Sequence, residues 1–365
     1  MKAALISLGS VSSKWTSEAM RKYFKEVDEI NLKDVEVDVT TGKLEVLHKG
    51  KHLFDYNCIY AKGSFRYMPL LRSITIALYP TTYMPIKPES FEIGHDKFLT
   101  QLVLQRNKIP MPKAYLAATS ASAKKILETI NYPIIMKFPS GTQGKGVMYA
   151  ESFATANSML DALTALKQPF IIQEYVETGG TDTRAFVVGD KVVASYKRIA
   201  VLGEKRANIH AGGVGEACSL PIKAKKIAVE SAKAIGADIC AIDMLEDVKG
   251  YMVLEINLSP GLQGITKTTK VDVADKIAKY LHDKARVSGK KEKVSTKDIL
   301  REIGVEKPEK LKEIITNLDF RGDRILLPEA ITNISKLKEE DEVTIDVEED
   351  KISIKKFMAE KKKEE

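Results

Sequence analysis

Three oxygen-bearing side chains carry the first chemical signal in this chain. Glu255 and Asn257 stand two apart in the apolar run Leu254-Glu255-Ile256-Asn257, so in a strand they share a face. Asp243 lies in the preceding apolar run, Ile239 to Leu245, and the segment Asp247 to Gly250 between the runs reads as a hairpin turn. A symmetric hairpin sets Asp243 opposite Glu255, and two carboxylates and an amide oxygen then converge on one spot. Hard oxygen ligands of this kind suit Mg²⁺ carrying nucleotide phosphates. The plainer alternative is a surface hairpin with a polar wet face.

Cations and glycines upstream supply what such phosphates need. Lys137 ends the apolar strand Pro133-Ile134-Ile135-Met136, and an ammonium at the edge of a buried strand needs an anion unless it snorkels to the surface. Lys97 follows Asp96 at the head of an amphipathic stretch and offers a second ammonium, or an exposed helix pair. Between two strand-like runs lies Ser140-Gly141-Thr142-Gln143-Gly144-Lys145-Gly146. Its glycines permit close backbone approach to phosphate and a movable lid; a structural turn is the alternative. It is neither a Walker nor a Rossmann loop, because a strand follows where both need a helix.

Gln173-Glu174-Tyr175-Val176 ends another apolar strand, whose backbone can pair with an adenine edge while its apolar neighbours pack on the ring. Asp182 and Arg184 share a strand face. Asp182 can take a ribose hydroxyl and Arg184 a phosphate or carboxylate, or the two can pair with each other. Arg206-Ala207-Asn208-Ile209-His210-Ala211-Gly212-Gly213 gathers a cation, an amide and a histidine in one loop. His210 is a candidate general base, although a lone histidine is more often structural.

The elements that must position these groups follow from pattern. At 365 residues the chain is long enough for two or three domains. Hydrophobic content of 44% and charged content of 29% place it among soluble globular proteins. No apolar run approaches the roughly 18 residues of a membrane span, and the N-terminus reads as a buried strand rather than a signal peptide. Cys58, Cys218 and Cys240 are scattered without metal-type spacing, so a reducing cytoplasm is expected.

Strands are expected at Ala3 to Leu8, Asn57 to Ala61, Pro133 to Phe138, Val147 to Ala150 and Phe170 to Val176. A hairpin is expected from Arg184 to Val188 and Val192 to Tyr196 around Gly189-Asp190. Helical spacing marks Thr16 to Phe24, Pro69 to Leu78, one long helix from Glu89 to Asn107, Ala121 to Ile130 capped by Ser120, Lys223 to Ile235 stopped by Gly236, and Asp272 to His282. The basic stretch from Lys284 to Lys293, within a net charge of +7, reads as a solvated linker more readily than as a nucleic-acid patch.

The order of the pieces is more specific than any one of them: a lysine, a lysine before a glycine-rich hairpin, a Gln-Glu-Tyr strand, paired charges, Arg-x-Asn, then Asp and Glu-x-Asn. This arrangement resembles the ATP-grasp superfamily. Asn208 to Gly213 and Asn257-Leu258-Ser259-Pro260-Gly261-Leu262 are most similar to the RimK-type glutamate ligases, over about residues 1–283. The resemblance implies an α/β (α+β) fold: an N-terminal pre-ATP-grasp α/β domain (1–88) and an ATP-grasp domain of two α+β subdomains (89–283). A linker (284–294), a small C-terminal helical and β-hairpin domain (295–357) and a disordered tail (358–365) would follow.

It further implies ATP and two Mg²⁺ ions, with Mn²⁺ able to substitute. Lys97 and Lys137 would contact phosphates beneath the Gly141, Gln143, Gly144 and Gly146 lid. Glu174, Tyr175 and Val176 would hold adenine, and Asp182 the ribose. Arg206 and Asn208 would lie by the phosphates, Arg184 would neutralise the transferring phosphoryl group, and Asp243, Glu255 and Asn257 would bind metal, with Glu255 bridging. Lys137, Arg184 and Arg206 would carry catalysis. The implied reaction joins an amino acid, glutamate favoured, to a carboxylate on a protein tail or small molecule through an acylphosphate. RimK-type enzymes usually carry Arg where this chain has Ala211 and Ser where it has Ala207, so the acceptor side differs.

Arg324 to Glu329, Asp341-Glu342-Val343 and Ile352-Ser353-Ile354 resemble the AbrB/MazE swapped hairpin, an intertwined dimer that often binds DNA. Here Glu339, Glu340, Asp341, Glu342, Asp346, Glu348, Glu349 and Asp350 outweigh Lys336, Lys338 and Lys351, the reverse of what phosphate contact needs. Dimerisation or acidic docking is therefore favoured over DNA binding. The competing function is a non-catalytic, nucleotide-sensing regulator that uses this module; the intact Asp243, Glu255 and Asn257 set argues against it.

Overall fold

The computed structural model describes residues 1–41, 43–139, 141, 146–200, 214–288, 319–322, 324–326, 331, 335, 338, 340–348 and 351–356. They divide into two compact units, 1–302 and 303–365.

The larger unit opens on β1 (Lys2–Ser7), which has parallel neighbours on both sides. Ala3, Ala4, Leu5 and Ile6 are fully buried, as a central parallel strand covered on both faces requires. Gly9 turns the chain at φ 72, and Ser10 caps α1 (Val11–Met20) by accepting from the Ser13 amide. The helix starts earlier than its expected span from Thr16. It crosses over to β2 (Glu26–Asn31), and β3 (Val35–Thr40), β4 (Lys43–His48) and β5 (Lys51–His52) then form a separate antiparallel meander. That meander was not among the expected elements, although Val35-Glu36-Val37-Asp38-Val39 alternates with period two. β6 (Cys58–Ala61) returns beside β1 to give the order β2-β1-β6, and α2 (Met68–Leu78) follows.

The expected helix from Glu89 to Asn107 is instead two, α3 (Pro88–His95) and α4 (Lys97–Arg106). Asp96 breaks it: with φ −109 and ψ 116 it leaves the helix, and its carboxylate accepts from the amides of Phe98 and Leu99. A short acidic side chain competes for helix amides and so caps rather than continues. The break puts Lys97 at the first position of α4.

β7 (Ala114–Tyr115) precedes α5 (Ser120–Thr129), β8 (Ile134–Lys137), β9 (Val147–Ala150), α6 (Phe153–Ala165) and β10 (Ile171–Glu174). The cap of α5 is Thr119, whose hydroxyl accepts from the Ser122 amide, and not Ser120. The strands form a sheet ordered β7-β10-β8-β9. Leu127, Ile134, Met136, Leu160 and Ile172 give it a core of its own.

A five-stranded antiparallel sheet follows: β11 (Thr181–Val188), β12 (Lys191–Ile199), β13 (Val214–Ala217), β14 (Ile239–Asp247) and β15 (Gly250–Asn257), ordered β13-β12-β11-β14-β15. α7 (Ile222–Ile235) lies between β13 and β14 and ends at Gly236, whose φ of 76 is the left-handed stop expected of it. α8 (Gln263–Thr269) and α9 (Val273–Ser288) close the unit. α9 runs past the point where a linker was expected, because Ala285 still faces the core and is 1% exposed. One core joins residues from Ala3 to Ala285, so the first sheet and the five-stranded sheet share a single apolar interior.

In the smaller unit β16 (Asp319–Arg321) pairs with β17 (Arg324–Leu326), and β18 (Val343–Glu348) with β19 (Lys351–Lys356). The helices expected at Ser295 to Ile303 and Pro308 to Asn317, and the tail, lie outside the described residues.

Candidate active site

The five-stranded sheet carries one row of side chains that no single segment contains. Tyr196, Arg184, Asp243 and Glu255 are successive cross-strand partners on β12, β11, β14 and β15. Directly paired residues in a sheet share a face. Arg198 and Asp182 pair in the next row, and Asn257 pairs with Ala241 beyond Glu255. All but Ala241 line one cavity of about 1070 Å³, at the upper end of the size of small-molecule sites.

Glu255 reaches that row by an irregularity. The β14–β15 ladder counts evenly from Asp247↔Gly250 to Met244↔Val253 and then shifts, so that Asp243 pairs with Glu255. An even ladder would put Leu254 against Asp243 and turn Glu255 toward the core beside Ile242. The pairing expected of a symmetric hairpin is thus reached through a bulge, whose extra residue re-aims the side chains beyond it.

Asp182 and Arg184 do not pair with each other. Arg184 grips Asp243 with both ends of its fork, Nε to Oδ1 and Nη2 to Oδ2 at 2.6 Å each. Arg198 holds Asp182 by two bonds, Nε to Oδ1 at 2.5 Å and Nη2 to Oδ2 at 2.7 Å, and reaches Asp243 Oδ2 at 2.8 Å. Burial pushes the Asp243 carboxyl up, but two guanidinium charges outweigh it and hold the group at about 2. Asp182 moves the other way, because its burial is only partly offset by one guanidinium shared with Asp243. Arg198 was not among the expected site residues. Its signal was its place on the same face as Tyr196, legible only once the β11–β12 register is known.

The four-stranded sheet contributes to the lining of the same cavity. Lys137, at the end of β8, is 5% exposed and donates from Nζ to Gln173 Oε1 at 2.7 Å. Burial lowers its ammonium to about 8; Glu255 pulls it back up and Lys97 adds to the fall. Lys97 donates to the Gly141 carbonyl at 2.9 Å. The sheet ladder ends at Glu174, so Tyr175 and Val176 leave it along the cavity wall. Glu174 accepts from the Lys113 amide at 3.2 Å, and Tyr175 meets Tyr149 edge to face at 5.1 Å. Gly146 closes the glycine-rich segment at φ 78, where a Cβ would overlap the Phe138 ring. His95, also unexpected, lines the cavity, and burial and Lys97 lower its imidazole to about 4.

Of the expected residues, Lys97, Lys137, Gly141, Glu174, Tyr175, Val176, Asp182, Arg184, Asp243, Glu255 and Asn257 line this cavity. Gln143, Gly144, Arg206 and Asn208, with Ala207, His210 and Ala211, lie outside the described residues.

The donor set fits a nucleotide with its metal. Lysine only donates, so the Lys137 bond fixes the Gln173 amide and leaves its buried Nε2 without an acceptor among the described residues. Such a group calls for a ligand acceptor. Glu255 has no hydrogen-bond donor among the described residues, and Asn257 Oδ1 accepts only from the Ser259 amide. Among the described residues no group of three His, Cys, Asp or Glu side chains could hold a metal alone. Two carboxylates and an amide instead suit a hard cation that brings phosphate and water ligands with it.

Known proteins share this plan. The family described as RimK-like ATP-grasp domain matches residues 94–281. A probable alpha-L-glutamate ligase of Picosynechococcus sp. is 33% identical over 293 residues, covering 78% of this chain and 96% of that protein. The protein of the same description from Vibrio cholerae is 32% identical over 296 residues, with the same coverage. Among solved structures, the ATP-grasp ligase PsnB complexed with minimal precursor, Mg and ADP superposes with a TM-score of 0.61 at 16% identity, covering 78% of this chain and 98% of that one.

Proposed function

The chain belongs to the RimK-like ATP-grasp family and is an ATP-dependent, ADP-forming ligase that makes an amide bond; we propose that it joins the amine of an amino acid, glutamate first, to a carboxylate on a protein tail or small molecule. The preference for glutamate rests on the relatives described as probable alpha-L-glutamate ligases. The observation that carries the reading is that Arg184, Asp243 and Glu255 stand in one row and line the same cavity as Lys137.

The substrate carboxylate attacks the γ-phosphorus of ATP, and ADP leaves. The amine then attacks the acyl carbon of the acylphosphate, loses a proton, and inorganic phosphate departs. In this scheme Lys97 and Lys137 hold phosphate oxygens, Gln173 Nε2 donates to the nucleotide, and Arg184 offsets charge on the phosphoryl group in transit. Asp243, Glu255 and Asn257 would hold Mg²⁺, two ions or Mn²⁺ in its place, whose charge eases phosphoryl transfer. Arg184 must release part of Asp243 for this, so its guanidinium passes from protein carboxylate to substrate phosphate. No protein nucleophile is needed; positioning and charge neutralisation supply the acceleration.

We assign the smaller unit to self-association. Val343, Ile345 and Val347 recur with period two along β18, and Ile352 and Ile354 pair with them from β19. All five side chains are exposed, and an isolated two-stranded hairpin is marginal alone. No helix among the described residues is long and apolar enough to cross a membrane. Cys58, Cys218 and Cys240 are free thiols, consistent with the reducing cytoplasm we propose.

The test follows ADP release from ATP and Mg²⁺ with each of the twenty amino acids, cell extract supplying the acceptor and mass spectrometry reading adducts. Amino-acid-dependent ADP release with a new amide adduct is expected. ATP binding without turnover under every condition would overturn the ligase and leave a nucleotide-binding regulator.

A further inference from the structure

One buried cation plays no part in the scheme above. Lys62 follows β6 directly and is 5% exposed, yet it lines the same cavity. Among the described residues its Nζ has no carboxylate, carbonyl or hydroxyl partner. The Tyr60 ring lies 5.6 Å from Nζ to centroid, at the outer limit of a cation–π contact. Burial alone lowers the ammonium to about 8, with no carboxylate near enough to raise it. A buried ammonium without a counter-ion is costly, and such a cost persists where a ligand supplies the missing charge.

The fold places this ammonium where ligands gather. In the order β2-β1-β6 the chain leaves β1 toward one side and returns on the other, so the crevice between β1 and β6 is a topological switch point at the carboxyl ends of parallel strands. The Lys62 amide donates to the Ile6 carbonyl at 2.9 Å, tying it to the end of β1. From there Gly9 turns the chain into the ten-residue helix α1, and Ser10, Ser12 and Ser13 at its start line the same cavity. The positive end of α1 and the ammonium therefore act on one space. Ser12 Oγ also accepts from the Leu262 amide at 2.8 Å, which pins the start of α1 to the segment that continues from Asn257.

We propose that Lys62 and the N-terminus of α1 form an anion subsite that holds a substrate carboxylate other than the one being phosphorylated. It rests on the ligase reading for the meaning of "substrate" but not for the binding itself. An amino acid that reacts through its amine keeps its own carboxylate, and that anion must be held clear of the phosphoryl group. The switch-point crevice offers it a cation on a different sheet from the one that carries Lys137.

The experiment titrates L-glutamate, its α-amide and its γ-amide into the full chain and follows ATP binding separately. Lys62→Met is expected to weaken L-glutamate roughly tenfold or more, the size of a lost charge-assisted contact, with ATP affinity unchanged. Lys62→Arg should keep most of the binding, and thermal melting checks that both variants fold. If one amide binds as weakly to wild type as L-glutamate binds to Lys62→Met, it names the carboxylate held. L-glutamate binding equally well to wild type and Lys62→Met would overturn the subsite, as would wild type that takes ATP but none of the three probes. L-glutamate binding that depends on Lys62 in a chain that does not bind ATP would uphold the subsite and sink the ligase.

Discussion

At the scale of single residues the site is a balance of paired charges. Asp243 neutralises parts of two guanidiniums, so Asp243→Asn strands both with one carboxylate fewer. Breaking a buried pair this way costs about 3–5 kcal/mol, and we expect thermal melting to show it along with loss of turnover. Glu255→Gln is the cleaner probe, because Glu255 makes no hydrogen bond among the described residues. Its folding should be unchanged and its turnover reduced about a hundredfold or more; wild-type turnover in this variant would remove Glu255 from the metal set. Lys137 gives a pH signature. Its folded value near 8 lies below the roughly 10.4 of a free lysine. Below pH 8 both folded and unfolded chains carry the proton, and the cost of burying the charge is fully present. Between 8 and 10.4 the unfolded chain binds more protons, so stability rises with pH. The melting temperature of the nucleotide-free protein should rise across that window, and less so in Lys137→Met. Phosphate binding restores the charge, so ATP should be taken up with a proton near pH 8, seen as a buffer-dependent heat.

At the scale of elements, small breaks in regular structure aim the chemistry. Asp96 ends α3 and starts α4, and so delivers Lys97 to the cavity. Asp96→Ala should cost about 1 kcal/mol of stability and weaken ATP binding; unchanged ATP affinity would show that Lys97 needs no such placement. The bulge before Glu255 does the same on β15. These breaks mark the border of what the sequence discloses. Short apolar runs exposed the strands that carry Lys137, Asp243 and Glu255, and glycine at 236 exposed the end of α7. An aspartate inside a continuous helical pattern read as one more polar residue, so α3 and α4 merged. Arg198 stayed hidden because its partners, Asp182 and Asp243, sit on two other strands and only the register brings them within reach. Lys62 stayed hidden for a similar reason: one lysine after a short apolar strand looks exposed until β1 pairs beside that strand and the start of α1 comes to line the same cavity.

At the scale of the whole molecule the two described units invite separation. A chain ending at Ser288 keeps the whole of α9 and every described cavity residue. It should retain ADP release and sediment as a monomer, whereas the full chain should sediment as a dimer. A truncated chain that still dimerises would move the interface to the larger unit. Shortening to residue 283 removes buried Ala285 and should lower the melting temperature measurably.

The same reach of the core has a consequence during synthesis. Tyr23 Oη and Lys22 Nζ, near the start of the chain, bond Asp275 on α9, and the core that encloses Ala3 also encloses Ala285. The N-terminal sheet emerges from the ribosome well before α9, which seals it. A nascent chain stalled before α9 clears the exit tunnel should expose β1, β6 and α1 to chaperones and proteases, while the lobe built on β7 to β10, with its own core, is already shut.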